Sequence, residues 1–344
     1  MLDVSDVVGR LGWYHAAIGA VTVLRAIPTA WTLLMAPFIV PPVDHSCAMP
    51  ALLVFQNWTQ ERWRSSALVV IRNGSDEESV VLDRCSVHPL LDTELGVFDK
   101  NSTAKCDSWT YNETDPGASA VPEWDLVCGN DWQRSMMQSV VFLGSLVGAL
   151  VIGRLSDRFG RRFMFFTATF IYIVFGCAAA ASPSVSWYNS LRFFASVCIA
   201  GIQTTAAALF TEIVQPRHRM LLNVGFCLGF TLPTLLLPGV AYLLASWKLL
   251  QLAAGLSAAV LVPFIFIVQE SPRWLVATRR EQRAQRAIEK ILRFNGRPIP
   301  DMKSTMTLLA EKSQKDAQLT SHGPAEILRQ KRLLKNTICL FFIW

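Results

Sequence analysis

The sequence predicts an all-α membrane protein: a six-transmembrane-helix bundle with a large extracellular loop and a helical cytoplasmic segment. Of the 344 residues, 52% are hydrophobic and 17% are charged, a balance that is typical of proteins with several membrane spans and rare in soluble domains. Six apolar stretches are each about 20 residues or longer, which is the length that a helix needs to cross a bilayer core. The charges between those stretches segregate to opposite sides of the membrane, which gives the bundle an orientation.

The distribution of charge predicts which side each loop occupies. Residues 41–133 contain six Lys and Arg against fifteen Asp and Glu, whereas residues 269–336 contain fifteen against seven. Segments retained in the cytoplasm accumulate Lys and Arg, so the second region is expected inside and the acidic region outside. The net charge of +6 therefore reflects membrane orientation, and no nucleic-acid partner is expected.

The chain is expected to divide into six parts along this topology. These are a cytoplasmic amino terminus (1–12), the first span (13–40), an extracellular loop (41–134), spans two to six (135–268), a cytoplasmic segment (269–336) and the truncated start of a seventh span (337–344). The last of these is too short to cross the bilayer. The predicted spans are Trp13–Val40, Ser135–Ile152, Phe163–Ser182, Trp187–Phe210, Leu221–Ala245 and Lys248–Val268.

The extracellular loop carries the signals of an oxidising and glycosylating compartment. Its four cysteines are expected to pair as two disulfides, with three possible connectivities. Four N-glycosylation sequons in the same loop also require exposure outside the cytoplasm, although any one of them can stay unused. The cysteines are Cys47, Cys85, Cys106 and Cys128, and the sequon asparagines are Asn57, Asn73, Asn101 and Asn112.

The cytoplasmic segment after the sixth span is expected to form short amphipathic helices. Ser271 and Pro272 form a helix-start signal, with Ser as the N-cap and Pro in the first turn. Apolar residues then recur at helical spacing until Asn295-Gly296 ends the run. From Pro298 to Ser321, a solvated linker with a basic face attracted to anionic lipid is an equally good interpretation.

The most specific motif is the decapeptide Gly153-Arg-Leu-Ser-Asp-Arg-Phe-Gly-Arg-Arg162, in the loop expected after the second span. It resembles, at every defining position, the signature between helices two and three of the major facilitator superfamily. Gly153 would permit close approach of a helix, Gly160 a tight reversal, and Asp157 hydrogen bonds from the backbone at the next helix start. The resemblance implies a fold of two six-helix halves, of which this chain is the amino-terminal one, and a charge network that locks the halves together on the cytoplasmic side.

Other charged residues resemble further members of that network. Glu212 and Arg217 resemble its acidic residue and basic partner, although such residues are also ordinary at helix ends. Arg192 resembles the superfamily's arginine of helix four. Because a guanidinium in the bilayer costs about 2.5–3.5 kcal/mol, Arg192 is expected to face a cavity or partner, or else to snorkel outward. The motif and gating candidates are Gly153, Asp157, Arg158, Gly160, Arg161, Arg162, Arg192, Glu212, Arg217, Glu270 and Arg273.

Four further segments narrow the resemblance to solute carrier family 22, the organic cation, anion and zwitterion transporters. Three are the motifs Glu123-Trp-Asp-Leu-Val-Cys128, Trp247-Lys-Leu-Leu-Gln-Leu252 and Glu270-Ser-Pro-Arg-Trp-Leu275, and the fourth is the large loop containing Asp44-His-Ser-Cys47. Sugar porters share part of the third motif, but their first outer loop is short. Related members often carry six cysteines in this loop, so the four here imply one disulfide fewer.

The resemblance implies a substrate site near the membrane midplane, between two halves that rock alternately. Spans one, two, four and five would form the wall from this chain, and polar or aromatic residues in them are candidates, although each also fits simple packing. Arg25 has no carboxylate inside spans two to six to pair with. It is interpreted as favouring an anionic or zwitterionic substrate, or as pairing with the missing half, whereas aromatic rings would suit cationic amines. The cavity candidates are Arg25, Trp31, Gln138, Gln203, Phe226 and Phe230.

These features predict transmembrane transport of small organic ions (cation, zwitterion or anion) by alternating access, with this chain a partial transporter. The alternative is a truncated membrane protein that acts by association with another chain, and for residues 1–344 alone no transport is expected. An enzyme is not expected, because the sequence has no nucleophile elbow, phosphate-binding loop or metal-ligand cluster. No cofactor or metal is expected. The expected partners are a small organic ion, the lipid bilayer and the missing carboxy-terminal half, in the plasma membrane.

Overall fold

Six helical spans form the framework of the described part of the protein. The computed structural model describes residues 4–9, 11–50, 53, 59–72, 80–92, 97–112, 117–319 and 334–335. Within them, six helices are long and apolar enough to cross a membrane, which confirms the predicted number. They are span 1 (Trp13–Leu34), span 2 (Cys128–Phe159), span 3 (Arg161–Ala181), span 4 (Val185–Ile213), span 5 (Val224–Leu244) and span 6 (Trp247–Phe266). The predicted sequons at Asn57 and Asn73 and the apolar run 337–344 lie outside the described residues.

The described residues form α-helices and short 3-10 helices, some within the six spans and some outside them. The α-helices are α1 (Val4–Val8), α2 (Trp13–Leu24), α3 (Ala26–Leu34), α4 (Ala36–Ile39), α5 (Gln60–Ala67), α6 (Trp132–Phe159), α7 (Arg161–Ala178), α8 (Val185–Ile213), α9 (Met220–Leu244), α10 (Trp247–Leu256), α11 (Pro272–Ala277), α12 (Glu281–Phe294) and α13 (Met302–Leu319). The 3-10 helices are Cys128–Asn130, Ala179–Ala181, Pro216–His218 and Ser257–Phe266.

Span 2 extends beyond its apolar stretch. Its helix α6 continues through the charged half of the decapeptide, and Gly160 alone, with φ 109°, separates it from α7. The predicted loop holding Arg154, Arg158, Arg161 and Arg162 was therefore wrong, because the first two arginines end α6 and the last two begin α7. Hydropathy marks where a helix leaves the hydrocarbon, whereas a helix ends only where a residue such as glycine interrupts it.

Close contact between spans depends on small glycine residues. A β-carbon at Gly148 would overlap Val197 of span 4, and one at Gly144 would lie 2.6 Å from the carbonyl oxygen of Phe193. Gly229 of span 5 meets span 1 in the same way. By contrast, no described atom lies within 4 Å of a β-carbon built at Gly153, so the close helix approach predicted there is not found among the described residues.

The segment after span 6 packs against the start of span 1 and closes one end of the bundle. Its amphipathic helices α11 and α12 bury Leu275 and Ile288 in a cluster with Val8 and Tyr14. The side chain of Asn295 accepts a hydrogen bond of 2.9 Å from the backbone of Tyr14. We call this the basic end of the bundle: α1, α11, α12, α13 and the junction of spans 2 and 3. The opposite end, where the described residues between 41 and 131 lie, is the loop end.

The residues at the loop end form short antiparallel strands that the sequence did not predict. The strands are β1 (His45–Cys47), β2 (Leu68–Arg72), β3 (Val80–Val87), β4 (Leu90–Asp92), β5 (Val97–Phe98), β6 (Ala104–Lys105) and β7 (Trp109–Tyr111). They pair as β1–β7, β2–β3–β6 and β4–β5. Disulfides join Cys47 to Cys106 and Cys85 to Cys128, with Cα atoms 5.6 Å apart in each pair. The second disulfide anchors the sheets to the start of span 2.

Candidate gate and substrate-facing residues

Arg161 joins spans 2, 3 and 4 at the basic end. Its Nη2 lies 2.8 Å from Oδ1 of Asp157 and 3.1 Å from Oε1 of Glu212. Its Nε also donates to Glu212, and its Nη1 donates to the backbone oxygen of Ser156. The side chains of Arg161 and Glu212 are only 12% and 16% exposed, against 71% for Asp157. The Arg161–Glu212 pair is therefore the stronger of the two, because solvent screens the exposed carboxylate more.

The partner of Glu212 differs from the predicted one. Arg217 is exposed and forms no salt bridge with a described carboxylate, because it lies beyond the end of α8 in the turn that Pro216 begins. Two other gating candidates also lie at the surface: Arg158 contacts the ring of Phe159 at 5.6 Å, and Arg273 is exposed. Among these candidates the network therefore centres on Arg161.

Glu270 caps the start of span 3 from a distant part of the chain. Its Oε1 accepts hydrogen bonds from the backbone N–H groups of Arg161 at 2.8 Å, Arg162 at 3.0 Å and Ser271 at 3.0 Å. The first two N–H groups open α7, where the helix dipole favours an anion. Glu270 thus has the capping role predicted for Asp157, and that prediction was wrong. Asp157 bonds instead to the side chain of Arg161, one helical turn away.

Gly160 makes room for this cap. A β-carbon on Gly160 would overlap the carboxylate of Glu270 and would lie 3.2 Å from the ring of Trp274. The Trp274 indole in turn donates a 2.6 Å hydrogen bond to the backbone oxygen of Asp157. We call Asp157, Arg161, Glu212, Glu270 and Trp274 the latch. Sequence reasoning missed Trp274, although it stands inside the motif Glu270–Leu275.

Arg192 lies in the bundle interior, not at the outer interface. Its side chain is 2% exposed, and its Nη2 donates a 2.6 Å hydrogen bond to the backbone oxygen of Thr32 in span 1. Its Nη1 donates to the hydroxyl of Tyr188, which donates to Gln251 of span 6, and Gln251 donates to the backbone of Gly176 in span 3. One buried network therefore connects spans 1, 3, 4 and 6. Tyr188 was not predicted, whereas Gln251 stands in the motif Trp247–Leu252.

Arg25 is the second buried arginine, and its surroundings are different. It is 2% exposed, and its Nε and Nη1 are buried without a hydrogen bond to any described residue. It forms no salt bridge with a described carboxylate, and its guanidinium carbon lies 5.3 Å from the ring centroid of Phe226. Phe226 is half-buried and lies 5.9 Å from Phe230, ring to ring. The structure therefore brings three of the cavity candidates together.

The remaining cavity candidates have separate surroundings. Trp31 donates from its indole to the backbone oxygen of Pro233 at 3.0 Å, which joins spans 1 and 5. Gln138 donates to the backbone oxygen of Leu33 at 3.0 Å, which joins spans 2 and 1. Gln203 is half-buried, and its amide makes no hydrogen bond with the described part of the chain. The first two side chains therefore have structural partners, and the amide of Gln203 is the one available to a ligand.

Two of the resemblance motifs meet at the loop end. Glu123 accepts hydrogen bonds from the indole of Trp247 at 3.1 Å and from Lys248 at 2.8 Å. Trp124 packs against Trp247 with ring centroids 4.9 Å apart. The start of span 6 is therefore joined to the segment that enters span 2. The described sequon residues Asn101 and Asn112 are exposed at the same end.

Comparison with known proteins places these features in a family. The family described as Sugar (and other) transporter matches residues 93–344. Organic anion transporter 3 of Mus musculus is 30% identical over 99% of this chain and 62% of its own length. Organic cation transporter protein of Drosophila melanogaster is 28% identical over 99% and 62%. The chain thus spans about three fifths of the length of these relatives.

Solved structures show the same fold. The proton:xylose symporter XylE bound to 6-bromo-6-deoxy-D-glucose aligns with a TM-score of 0.55 and 13% identity, over 89% of this chain and 54% of XylE. The partially occluded inward open form of XylE from E. coli aligns with a TM-score of 0.53 and 14% identity, over 92% and 61%. The six apolar spans, the decapeptide and these matches all indicate the same family. The members of that family are transporters, not enzymes. The chain is therefore a multi-pass membrane protein that belongs to the sugar (and other) transporter family of the major facilitator superfamily and resembles solute carrier family 22.

Proposed function

We propose that this chain forms the amino-terminal half of an alternating-access transporter of small organic ions, and that its site favours a substrate carrying an anionic group. The observation that supports this proposal is the buried guanidinium of Arg25 beside Phe226, which no described carboxylate neutralises. The relatives named above are an organic anion transporter and an organic cation transporter, which supports an organic ion as the substrate class.

The charge of Arg25 favours an anion over a cation. An arginine inside a membrane span costs about 2.5–3.5 kcal/mol by insertion scales, and such residues mark substrate pathways. The Phe226 ring, which would otherwise attract a cationic amine, already faces the Arg25 guanidinium. A carboxylate or sulfate group near Phe226 would neutralise Arg25, whereas an amine would be repelled. An anionic or zwitterionic organic substrate is therefore preferred.

The latch is the part of this half that must rearrange during transport. Alternating access requires the basic end to open and close around a site near the midplane. The latch joins spans 2, 3 and 4 to the segment after span 6 through Arg161 and Glu270. One oxygen of Glu212, Oε2, is buried without a described partner, so it can accept a donor from another helix when the latch changes. The excess of Lys and Arg at the basic end orients that end toward the cytoplasm, and the proposed location is the plasma membrane.

Replacing Arg25 by Leu is expected to lower the ratio of organic-anion to organic-cation uptake by at least about tenfold, the change produced by about 1.4 kcal/mol of lost attraction. The chain would be fused to the remaining part of Organic anion transporter 3 of Mus musculus, and uptake of a fluorescent organic anion and cation would be compared in cells. Arg25→Lys is the matched control, since it keeps the charge. An unchanged ratio for Arg25→Leu at equal surface expression would contradict the proposed anion preference.

Replacing Asn101 or Asn112 by Gln is expected to remove one N-linked glycan each, because both asparagines are exposed at the loop end. The measurement is electrophoretic mobility before and after glycosidase treatment of the chain expressed in cells. Ser102→Ala is the control, since it leaves the sequon at Asn101 intact. Equal mobility of the double variant and the unchanged chain would argue against an extracellular loop carrying glycans at these sites.

A further inference from the structure

A concave groove lies where α12 passes the basic end of spans 3 and 6. Its volume is about 840 Å³, and none of the cavity candidates near Arg25 lines it. One wall is aromatic and includes Phe163 and Phe170 of span 3. The other wall is cationic and includes Arg280, Arg283, Arg286 and Lys290. The groove therefore combines a strongly apolar surface with a cluster of positive charges at the edge of the membrane.

The aromatic wall faces the lipid. Phe163 is 59% exposed and Phe170 is 68% exposed, although both belong to a membrane span. A large apolar side chain that is exposed on a spanning helix contacts acyl chains or another apolar surface, since water is absent from the hydrocarbon core. The two phenylalanines lie seven residues apart on α7, so they occupy the same face of the helix. They form an apolar strip that leads from the hydrocarbon to the groove.

The cations of this wall form no salt bridge with a described carboxylate. Arg283, Arg286 and Lys290 recur at a spacing of three and four, so they share one face of α12, while Ala284 and Ile288 on the other face are buried in the core. All three cations are exposed, and none forms a salt bridge with a described acidic group. Uncompensated cations of this density attract an anion.

Deeper in the groove, one arginine N–H has no acceptor among the described residues. Glu270 lines the groove, but its Oε1 is already occupied by three backbone N–H groups. Arg162 also lines it, and the Nε of Arg162 is buried with no hydrogen bond to a described residue. A buried guanidinium N–H without an acceptor is costly, so an acceptor from a bound group would be stabilising.

We propose that this groove binds an anionic phospholipid of the surrounding leaflet. Its acyl chain lies along Phe163 and Phe170, and its phosphate contacts the cations of α12. The apolar strip favours a lipid over a free phosphate ion, which would gain nothing from the phenylalanines. Basic pockets between membrane spans on the cytoplasmic side recognise anionic head groups by this chemistry.

The test is lipid binding to the purified 344-residue chain, measured by native mass spectrometry during titration with phosphatidylserine or with phosphatidylcholine of the same acyl chains. Phosphatidylserine is expected to bind at least about tenfold more tightly. The double variant Arg283→Gln/Arg286→Gln is expected to weaken phosphatidylserine binding by about 30-fold, since each cation near an anionic lipid contributes about 1 kcal/mol. Binding of phosphatidylcholine is expected to stay unchanged. Equal binding of the two lipids to the unchanged chain would overturn the proposal.

Two controls separate this groove from general attraction and from a simple phosphate site. Lys303→Gln/Lys315→Gln removes the same charge from exposed positions of the neighbouring helix α13, and an equal loss there would overturn the proposal in favour of diffuse attraction. Phe163→Gln/Phe170→Gln is expected to weaken phosphatidylserine binding while the chain keeps its thermal stability in detergent. If glycerophosphoserine, which lacks acyl chains, displaced phosphatidylserine at equal concentration, the site would bind free phosphate groups and the lipid proposal would be wrong.

Discussion

Replacing Arg192 by Leu is expected to destabilise the chain by about 3 kcal/mol or more, because two hydrogen bonds from a charged donor are lost, each contributing about 1.5–3 kcal/mol. Those bonds connect Arg192 to Thr32 and Tyr188 in a region buried between four spans. The loss also leaves the backbone oxygen of Thr32 without its charged donor. The measurement is the free energy of unfolding in mixed micelles of mild detergent and sodium dodecyl sulfate.

The matched control is the same substitution at the other buried arginine. Arg25 has two nitrogens without described partners, against only the Nε in Arg192, so Arg25→Leu removes the less compensated buried charge and is expected to stabilise the chain, by about 1–3 kcal/mol. The two leucine variants therefore have effects of opposite sign, although both arginines are 2% exposed. Equal destabilisation by the two would show that Arg25 has a structural role, and would weaken its assignment to the substrate site.

Replacing Gly160 by Ala is expected to destabilise the chain by about 2–5 kcal/mol. A side chain at φ 109° is strained by about 1–3 kcal/mol, and displacement of the Glu270 cap adds about 1–2 kcal/mol. The β-carbon would overlap the Glu270 carboxylate, so the two N–H groups at the start of α7 would lose their acceptor. Thermal unfolding of the purified chain, followed by circular dichroism, measures the effect.

Gly153 in the same decapeptide provides the control. Its β-carbon would meet no described atom within 4 Å, and it lies inside α6, where Gly→Ala is favourable by about 0.5–1 kcal/mol. Gly153→Ala is therefore expected to raise the melting temperature of the chain slightly, whereas Gly160→Ala lowers it. Arg273→Gln should change little, since Arg273 is exposed. If both glycine variants melted at the same temperature, the Glu270 cap would not explain why position 160 requires glycine.

The parts of the fold that sequence predicted are those that one-dimensional patterns determine. Hydropathy located six spans, because each must be about 20 apolar residues long. Hydropathy did not locate the end of α6, since the polar residues after Ile152 continue the helix until Gly160. The strands of the loop were missed because their short runs carry little alternation of their own.

The partners within the site required three dimensions. The sequence identified Glu212, Arg161 and Glu270 as gating candidates, but it assigned Arg217 to Glu212 and the capping role to Asp157. Those assignments paired residues that are close in sequence. The observed partners of Arg161, namely Glu212 and Glu270, are 51 and 109 residues away from it along the chain. The difference in hydrogen bonding between Arg192 and Arg25 could likewise not be predicted from the sequence. It depends on which backbone oxygens and hydroxyls the packing of four spans brings to each guanidinium.

The central claim, that this chain is the amino-terminal half of an organic-ion transporter, is tested most directly by uptake through the fusion of residues 1–344 with the remaining part of Organic anion transporter 3 of Mus musculus. The relative matches 99% of this chain, so the junction falls at an equivalent position. The prediction is saturable uptake of a fluorescent organic anion above mock-transfected cells. A fusion that reaches the cell surface with its glycans but shows no saturable uptake of either an organic anion or an organic cation would contradict the claim.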